Sequence, residues 1–272
     1  MNLSMYAEYA VWLNYENNAD AFRHFYDKGV RYADMNDEVI ERLPLHLYCE
    51  QIRTGGIVPG ALVSMLNIAS FDKKEREKNI AMVKGYIDQM EKLDVPVLMP
   101  APSVRFAQNA DELKKMQELL IEGFAEVAEY AKGSGVSVVI ENQSSLLRAD
   151  SKAEDIQYIL QAVPELGFVL DSGNFFCIGE DVLKAYESFK GRMVRCHCKD
   201  WAYNPFGMYA KENMPRFEGV AIGDGVLPLR EMFAAFRKDG FGGSVVLEIN
   251  ARKITLEMLD KSVDFLRGEM YV

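Results

Sequence analysis

The sequence predicts an α/β protein, a single (β/α)8 barrel over residues 1–272 with an extended loop after its seventh strand. Eight short apolar runs alternate with longer segments of helical periodicity, and such alternation builds parallel strands joined by helical crossovers. The chain has 272 residues, and α/β barrels commonly occupy about 250 residues as one unit. The competing fold is a doubly wound open sheet. No Gly-x-Gly-x-x-Gly fingerprint follows a strand candidate, and Gly55-Gly56-Ile57-Val58-Pro59-Gly60 lacks the Lys and Ser/Thr of a phosphate loop. The competitor therefore loses its usual dinucleotide- and nucleotide-binding forms.

In chain order the strand candidates are Tyr6–Leu13, Val30–Met35, Ile57–Asn67, Val95–Pro100, Val136–Asn142, Gly167–Asp171, Met193–His197 and Ser244–Asn250. Between them, Lys73–Leu93 places Ile80, Val83, Ile87, Met90 and Leu93 close to a 3.6 period. Asp111–Lys132 repeats the pattern with Leu113, Met116, Leu119, Leu120, Phe124 and Val127. Ser151 and Glu154 have the capping-box spacing and open a helix that runs to about Val163. The last two helices are expected over Leu227–Lys238 and Thr255–Arg267.

Charge and cysteine content narrow the function. There are 31 basic and 41 acidic side chains, a formal net charge of −10 and a pI near 5.0. That balance argues against a nucleic-acid binder, which carries a basic patch. No run reaches the roughly 18 apolar residues of a membrane span, and Met1–Glu8 lacks the basic start and apolar core of a signal peptide. Cys49, Cys177, Cys196 and Cys198 show no disulfide framework. The expectation is a reduced, cytoplasmic protein.

The chemistry lies at the ends of the last four strands. They read Val136-Ser137-Val138-Val139-Ile140-Glu141-Asn142, Gly167-Phe168-Val169-Leu170-Asp171, Met193-Val194-Arg195-Cys196-His197-Cys198-Lys199-Asp200 and Ser244-Val245-Val246-Leu247-Glu248-Ile249-Asn250. Each delivers one metal-competent side chain: Glu141, Asp171, His197 and Glu248. Catalytic groups of a barrel collect at this end of the strands. Alternation along each strand sends these four inward and sends Ile140, Leu170, Cys196, Cys198, Leu247 and Ile249 outward toward the helices. Three carboxylates and an imidazole suit one divalent cation such as Mn²⁺, Co²⁺, Mg²⁺ or Zn²⁺. Without a cation, mutual repulsion would raise at least one carboxyl pKa strongly.

These segments resemble the xylose-isomerase-like barrel superfamily of sugar isomerases and epimerases, which also contains inosose dehydratases and endonuclease IV enzymes. The matching pieces are Ile140-Glu141-Asn142, Leu170-Asp171-Ser172-Gly173-Asn174 and His197-Cys198-Lys199-Asp200. They continue through Gly223-Asp224-Gly225-Val226-Leu227-Pro228 and Gly240-Phe241-Gly242-Gly243 into Val246-Leu247-Glu248. The resemblance implies one metal bound by Glu141, Asp171, His197 and Glu248. It also implies that Glu141 and Glu248 act as an acid/base pair on opposite faces of a substrate carbonyl compound. Many relatives carry a His three positions after the aspartate of the sixth strand, where it contacts substrate. Here Asn174 occupies that position. Endonuclease IV uses three metals and many histidines, whereas this chain has only His24, His46 and His197.

Other residues carry two readings each. Lys199 shares the inward phase of His197, so it meets substrate or forms a salt bridge with a neighbouring carboxylate. Trp12 lines the pocket or packs in the core. Asp200 turns or caps the following loop, and His24 and His46 are structural or exposed. The outward pair Cys196 and Cys198 packs in the core. The Trp201–Gly225 stretch is long for a connection in a barrel. It contains Trp201, Tyr203, Phe206, Tyr209 and Phe217 with Lys211 and Arg216, and reads as a lid over the site or an oligomer contact. The function expected is metal-dependent sugar isomerisation or epimerisation through an enediolate. Two alternatives are a cyclitol-ketone dehydratase of the same superfamily and a non-catalytic sugar-binding barrel. The partners expected are a small sugar or cyclitol and a second copy of the chain.

Overall fold

The eight runs are apolar on both faces because each strand packs inward against the barrel interior and outward against a helix. In the computed structural model, which describes residues 1–13, 17–40, 43–102, 106–207 and 216–271, eight strands pair in parallel and close on themselves. The strands are β1 (Asn2–Tyr6), β2 (Tyr32–Asn36), β3 (Val58–Ser64), β4 (Val97–Pro100), β5 (Ser137–Glu141), β6 (Gly167–Asp171) and β7 (Met193–Cys198). Two short strands, β8 (Trp201–Tyr203) and β9 (Phe217–Gly219), precede the last barrel strand, β10 (Ser244–Leu247). The barrel order is β1-β10-β7-β6-β5-β4-β3-β2, so β10 closes the ring between β7 and β1. This is the single (β/α)8 barrel expected.

The phase of the strands is also as expected. Ile140, Leu170, Cys196, Cys198 and Leu247 join the large core between barrel and helices, while Val139 and Val169, two positions before Glu141 and Asp171, meet Val63, Met99 and Ala101 inside. Helices Lys73–Lys92 and Ala110–Ala131 match their periodicity, and Asp72 and Asn109 cap them by accepting from backbone N–H groups. The final helix, Leu256–Met270, is capped by Thr255. No helix among the described residues is long and apolar enough to cross a membrane.

Two local expectations are corrected. The first strand is Asn2–Tyr6 rather than Tyr6–Leu13, and Glu8–Trp12 forms a short helix. Asn2–Met5 pair with Ser244–Leu247 and Ser4–Tyr6 with Tyr32–Asp34, which leaves no partner for a strand beyond Tyr6. A short, largely apolar run such as Tyr6–Leu13, broken only by Glu8, carries no period that separates strand from buried helix. The helix after β5 is Ala153–Ala162, and its N-cap is Lys152 without a side-chain bond. Ser151 Oγ donates instead to Ser145 O at 2.6 Å, tying down the preceding loop.

The long connection after β7 folds back as the antiparallel pair β8–β9; Tyr209 and Lys211 lie outside the described residues. Asp200 organises its base. Its Oδ1 accepts from Trp201 N at 2.9 Å and Leu227 N at 3.2 Å, and its Oδ2 accepts from Gly223 N at 3.0 Å and Gly225 N at 2.9 Å. Gly225 allows the approach, since a Cβ there would stand 2.1 Å from Asp200 Oδ1. Asp200→Ala removes the acceptor for four N–H groups and is expected to cost about 2–4 kcal/mol. Calorimetry should show a fall of several degrees in Tm; a shift under 1 °C would mean that the loop is held by other contacts.

Glu8, on the short first helix, accepts from Asn36 N at 2.8 Å and Tyr48 Oη at 3.4 Å. Burial pushes its carboxyl from 4.5 up to about 7 against those bonds. An acid whose folded pKa is raised favours the folded state in its protonated form, so this contribution is full below pH 4.5 and lost as pH rises to about 7. Glu8→Gln keeps the acceptor without the titration. Relative to wild type it should gain about 2–3 kcal/mol between pH 4.5 and 8 in urea unfolding. An unchanged difference would show Glu8 ionised in the fold throughout.

Candidate metal centre

Glu141 ends β5, Asp171 ends β6, His197 lies in β7, and Glu248 immediately follows β10. Glu248 N donates to Cys198 O at 3.1 Å and extends the barrel pairing by one residue. Asp171 is directly opposite His197 across β6–β7. One ligand atom from each of the four residues falls within a 4.8 Å cluster. His197 Nδ1 stands 2.5 Å from Glu141 Oε1 and 3.2 Å from Glu248 Oε2. Lys199 Nζ lies 2.6 Å from Asp171 Oδ2 and 2.8 Å from Glu248 Oε1.

Neighbouring groups fix these side chains. Asn142 bridges β5 and β6, donating Nδ2 to Asp171 O at 3.0 Å and accepting from Asp171 N at 2.8 Å. Asp171 divides its carboxylate: Oδ1 accepts from Asn174 N at 2.8 Å and caps helix Ser172–Ile178, while Oδ2 faces the cluster. Asn174 Nδ2 donates to Asn142 O at 2.9 Å, and its Oδ1 accepts from Lys199 Nζ at 3.3 Å. Gln143 Nε2 donates to Glu141 Oε2 at 3.1 Å, which leaves Oε1 turned toward His197. Tyr6 closes the cluster from β1, its hydroxyl 3.5 Å from His197 Nδ1.

The electrostatics follow from this crowding. Burial pushes the Asp171 carboxyl up against the pull of Lys199. Burial acts on Glu248 in the same direction, but Lys199 and His197 outweigh it and hold that carboxyl below the ordinary range. His197 is lifted to about 10, because Glu141 and Glu248 overcome the penalty of burial. Lys199 is held well above its ordinary value against burial by Asp171, Glu248 and Glu141. Both cations are therefore charged at neutral pH; counted formally against three carboxylates they leave one negative charge.

The donor set fits a divalent cation. Glu141 Oε1, Asp171 Oδ2 and Glu248 Oε2 are buried without a well-aligned hydrogen bond, one oxygen from each carboxylate. A divalent cation in place of the His197 Nδ1 proton would balance the charge of the set. The cluster opens into a cavity of about 1060 Å³, which Glu141, Asn174, Lys199, Glu248, Tyr6 and Trp12 help to line.

The residues singled out in the sequence thus divide clearly. Glu141, Asp171, His197 and Glu248 come together, and Lys199 combines both of its readings, an ion pair and a place on the cavity wall. Trp12 is not at a strand end. It sits on the short first helix at the rim, 60% exposed and edge-on to Tyr9 at 5.7 Å, rather than in the core. His24 is remote from the cluster, its Nε2 2.8 Å from Asp260 Oδ1, and His46 is exposed. Tyr6 and Gln143 escaped the sequence reading. Tyr6 was misplaced by the first-strand register, and Gln143 lies just beyond a strand end.

Comparison with known proteins bears on the family and the fold. Residues 16–269 match the family model of the xylose isomerase-like TIM barrel. No curated protein matches the chain by sequence. Among solved structures, the chain is similar to the IolI protein with a zinc atom, at 20% identity and a TM-score of 0.79, over 99% of this chain and 98% of that one. It is also similar to D-psicose 3-epimerase with D-tagatose from Clostridium cellulolyticum H10, at 17% identity and a TM-score of 0.76, over 100% and 99%. A third is 3-keto-D-glucoside 4-epimerase from E. coli, at 13% identity and a TM-score of 0.73, over 98% of each chain. The chain belongs to the xylose isomerase-like TIM barrel family.

Proposed function

We propose that this protein is a divalent-metal-dependent isomerase or epimerase of a sugar or related carbonyl compound. The observation that carries this reading is the pair Glu141 and Glu248. Their carboxylates approach one imidazole nitrogen from two strands, at 2.5 and 3.2 Å, at the edge of a cavity that both line. The resemblance to epimerases supports it. Glu141, Asp171, His197 and Glu248 would hold the metal, which when bound supplies Lewis acidity toward a substrate carbonyl.

The side chains supply the rest. Glu248, held ionised by Lys199 and His197, takes the proton from the carbon beside the carbonyl. The C–H electron pair passes into an enediolate, and Glu141, which enters the step as the acid with a proton drawn from solvent through the cavity it lines, gives that proton to the opposite face, leaving Glu141 ionised and Glu248 protonated. Lys199 Nζ, beside Glu248 and on the cavity wall, steadies a substrate oxygen and the negative charge that develops there. Asn174 replaces the histidine of many relatives. Both ends of its amide are engaged, by Asn142 and Lys199, so it orients Lys199 and does not exchange protons. Trp12 at the rim, backed edge-on by the buried Tyr9, gives the apolar face of a sugar ring a surface to lie against.

Metal analysis of protein purified without chelator should find about one Mn, Co, Mg or Zn per chain, lost in His197→Ala. No metal, and none taken up on titration, would overturn the proposal in favour of a non-catalytic barrel. A screen of ketoses and inososes in deuterated water should show deuterium entering at the carbon beside the carbonyl. Loss of water from an inosose with inert ketoses would favour the cyclitol-ketone dehydratase. Glu248→Gln should lower turnover by about 10²–10⁴-fold with the melting temperature within a few degrees of wild type; unchanged turnover would remove Glu248 from the chemistry.

A further inference from the structure

Beneath the four candidate ligands the barrel interior holds a second polar layer. Ser4 on β1, Asp34 on β2 and Arg195 on β7 are buried there. Both donors of the layer converge on a single oxygen of Asp34. Arg195 Nη2 bonds Oδ1 in a close ion pair, and Ser4 Oγ donates to the same oxygen at 2.9 Å. Gly60 on β3 makes room for the pair, since a Cβ there would stand 3.1 Å from Asp34 Oδ1 and 3.4 Å from Arg195 Nη2. Asp34 Oδ2 is left buried without a hydrogen bond. It faces His197 Nε2, 3.9 Å away, which is equally buried and equally without one.

We infer that Asp34 is a positioning residue for the metal centre: its Oδ2 accepts the Nε2–H of His197 and so reserves Nδ1 for the cation. This inference rests on the metal-dependent reading above. A neutral imidazole carries its proton on one nitrogen only, and the hydrogen bond made by that nitrogen decides which one is left to bind a metal. Nδ1 is turned to Glu141 and Glu248, so Nε2 must keep the proton. Leaving that buried donor unmade costs about 1–3 kcal/mol. Oδ2 at 3.9 Å is too far for a hydrogen bond, and a small rotation of the imidazole or the carboxylate closes the gap. Arg195 and Ser4 pin the carboxylate by its other oxygen. A buried ion pair of this kind offers little stability over an apolar pair of the same size. Orienting His197 gives the barrel a reason to keep it.

Asp34→Asn is the sharp test. The amide oxygen can still meet Arg195, but its NH₂ then faces His197 Nε2, a donor where an acceptor stood. Co²⁺ and Zn²⁺ affinity, measured by competition with a chelator, should fall about 10–100-fold, with a changed visible spectrum of the Co²⁺ form. With only three histidines in the chain, nitrogen-15 NMR of labelled histidine reads His197 directly. Wild type should show a hydrogen-bonded Nε2–H, with or without metal, and Asp34→Asn should shift or remove it. The double variant Asp34→Leu/Arg195→Met removes the pair together and should show the same loss of affinity, which keeps the test open should Asp34→Asn fail to fold. An unprotonated Nε2 in wild type would overturn the inference. So would unmoved His197 signals with affinity within threefold. A purely structural pair would lower the melting temperature and leave both readouts in place. Should wild type bind no metal, the functional proposal falls, while the metal-free spectra still decide whether Asp34 holds His197.

Discussion

Repulsion among three buried carboxylates is the constraint around which the mouth of this barrel is organised. Glu141, Asp171 and Glu248 end on one small volume, and in a low-dielectric interior like charges at that separation cannot all remain ionised unaided. Lys199 reaches across to two of them, His197 turns Nδ1 toward Glu141 and Glu248, and Asn174 N and Gln143 Nε2 each hold one oxygen, of Asp171 and of Glu141. The strands supply convergence, and the loops that leave them supply restraint. The same crowding that makes the cluster costly makes it receptive to a compact positive charge.

The inward set was legible because parallel strands are buried on both sides, so one metal-competent side chain near the end of each of four consecutive runs stands out and its apolar neighbours fix its phase. Glu141, Asp171, His197 and Glu248 follow from that rule alone. The register of β1 was not legible, because Tyr6–Leu13 is apolar but for Glu8 and only pairing with β2 and β10 decides where the strand stops. Ser151 illustrates a different limit. Its spacing to Glu154 suits a cap, but its hydroxyl satisfies Ser145 O instead. Local spacing cannot tell which of two nearby backbone groups a side chain will choose.

Contacts across the barrel were harder still. Arg195 has the inward phase of His197, which the sequence showed, yet its pairing with Asp34 joins β7 to β2, strands far apart in the chain and in the order of the sheet. Nothing in either segment names the other. Asn174 is a gentler case: the substitution was visible in the motif, and the consequence for Lys199 needed the distance between them.

The place of β10 has a consequence for how the molecule comes into being. Its pairing with β7 and β1 unites the two ends of the chain, and Glu248 follows directly on that strand. Synthesis therefore delivers three members of the cluster well before the fourth, and the fourth arrives only with the segment that seals the ring. A nascent or truncated chain has an open sheet and an incomplete cluster together. Any cation that prefers all four residues then favours the closed ring over the open sheet by its differential affinity. Occupancy of the mouth and integrity of the seam become two readings of one equilibrium.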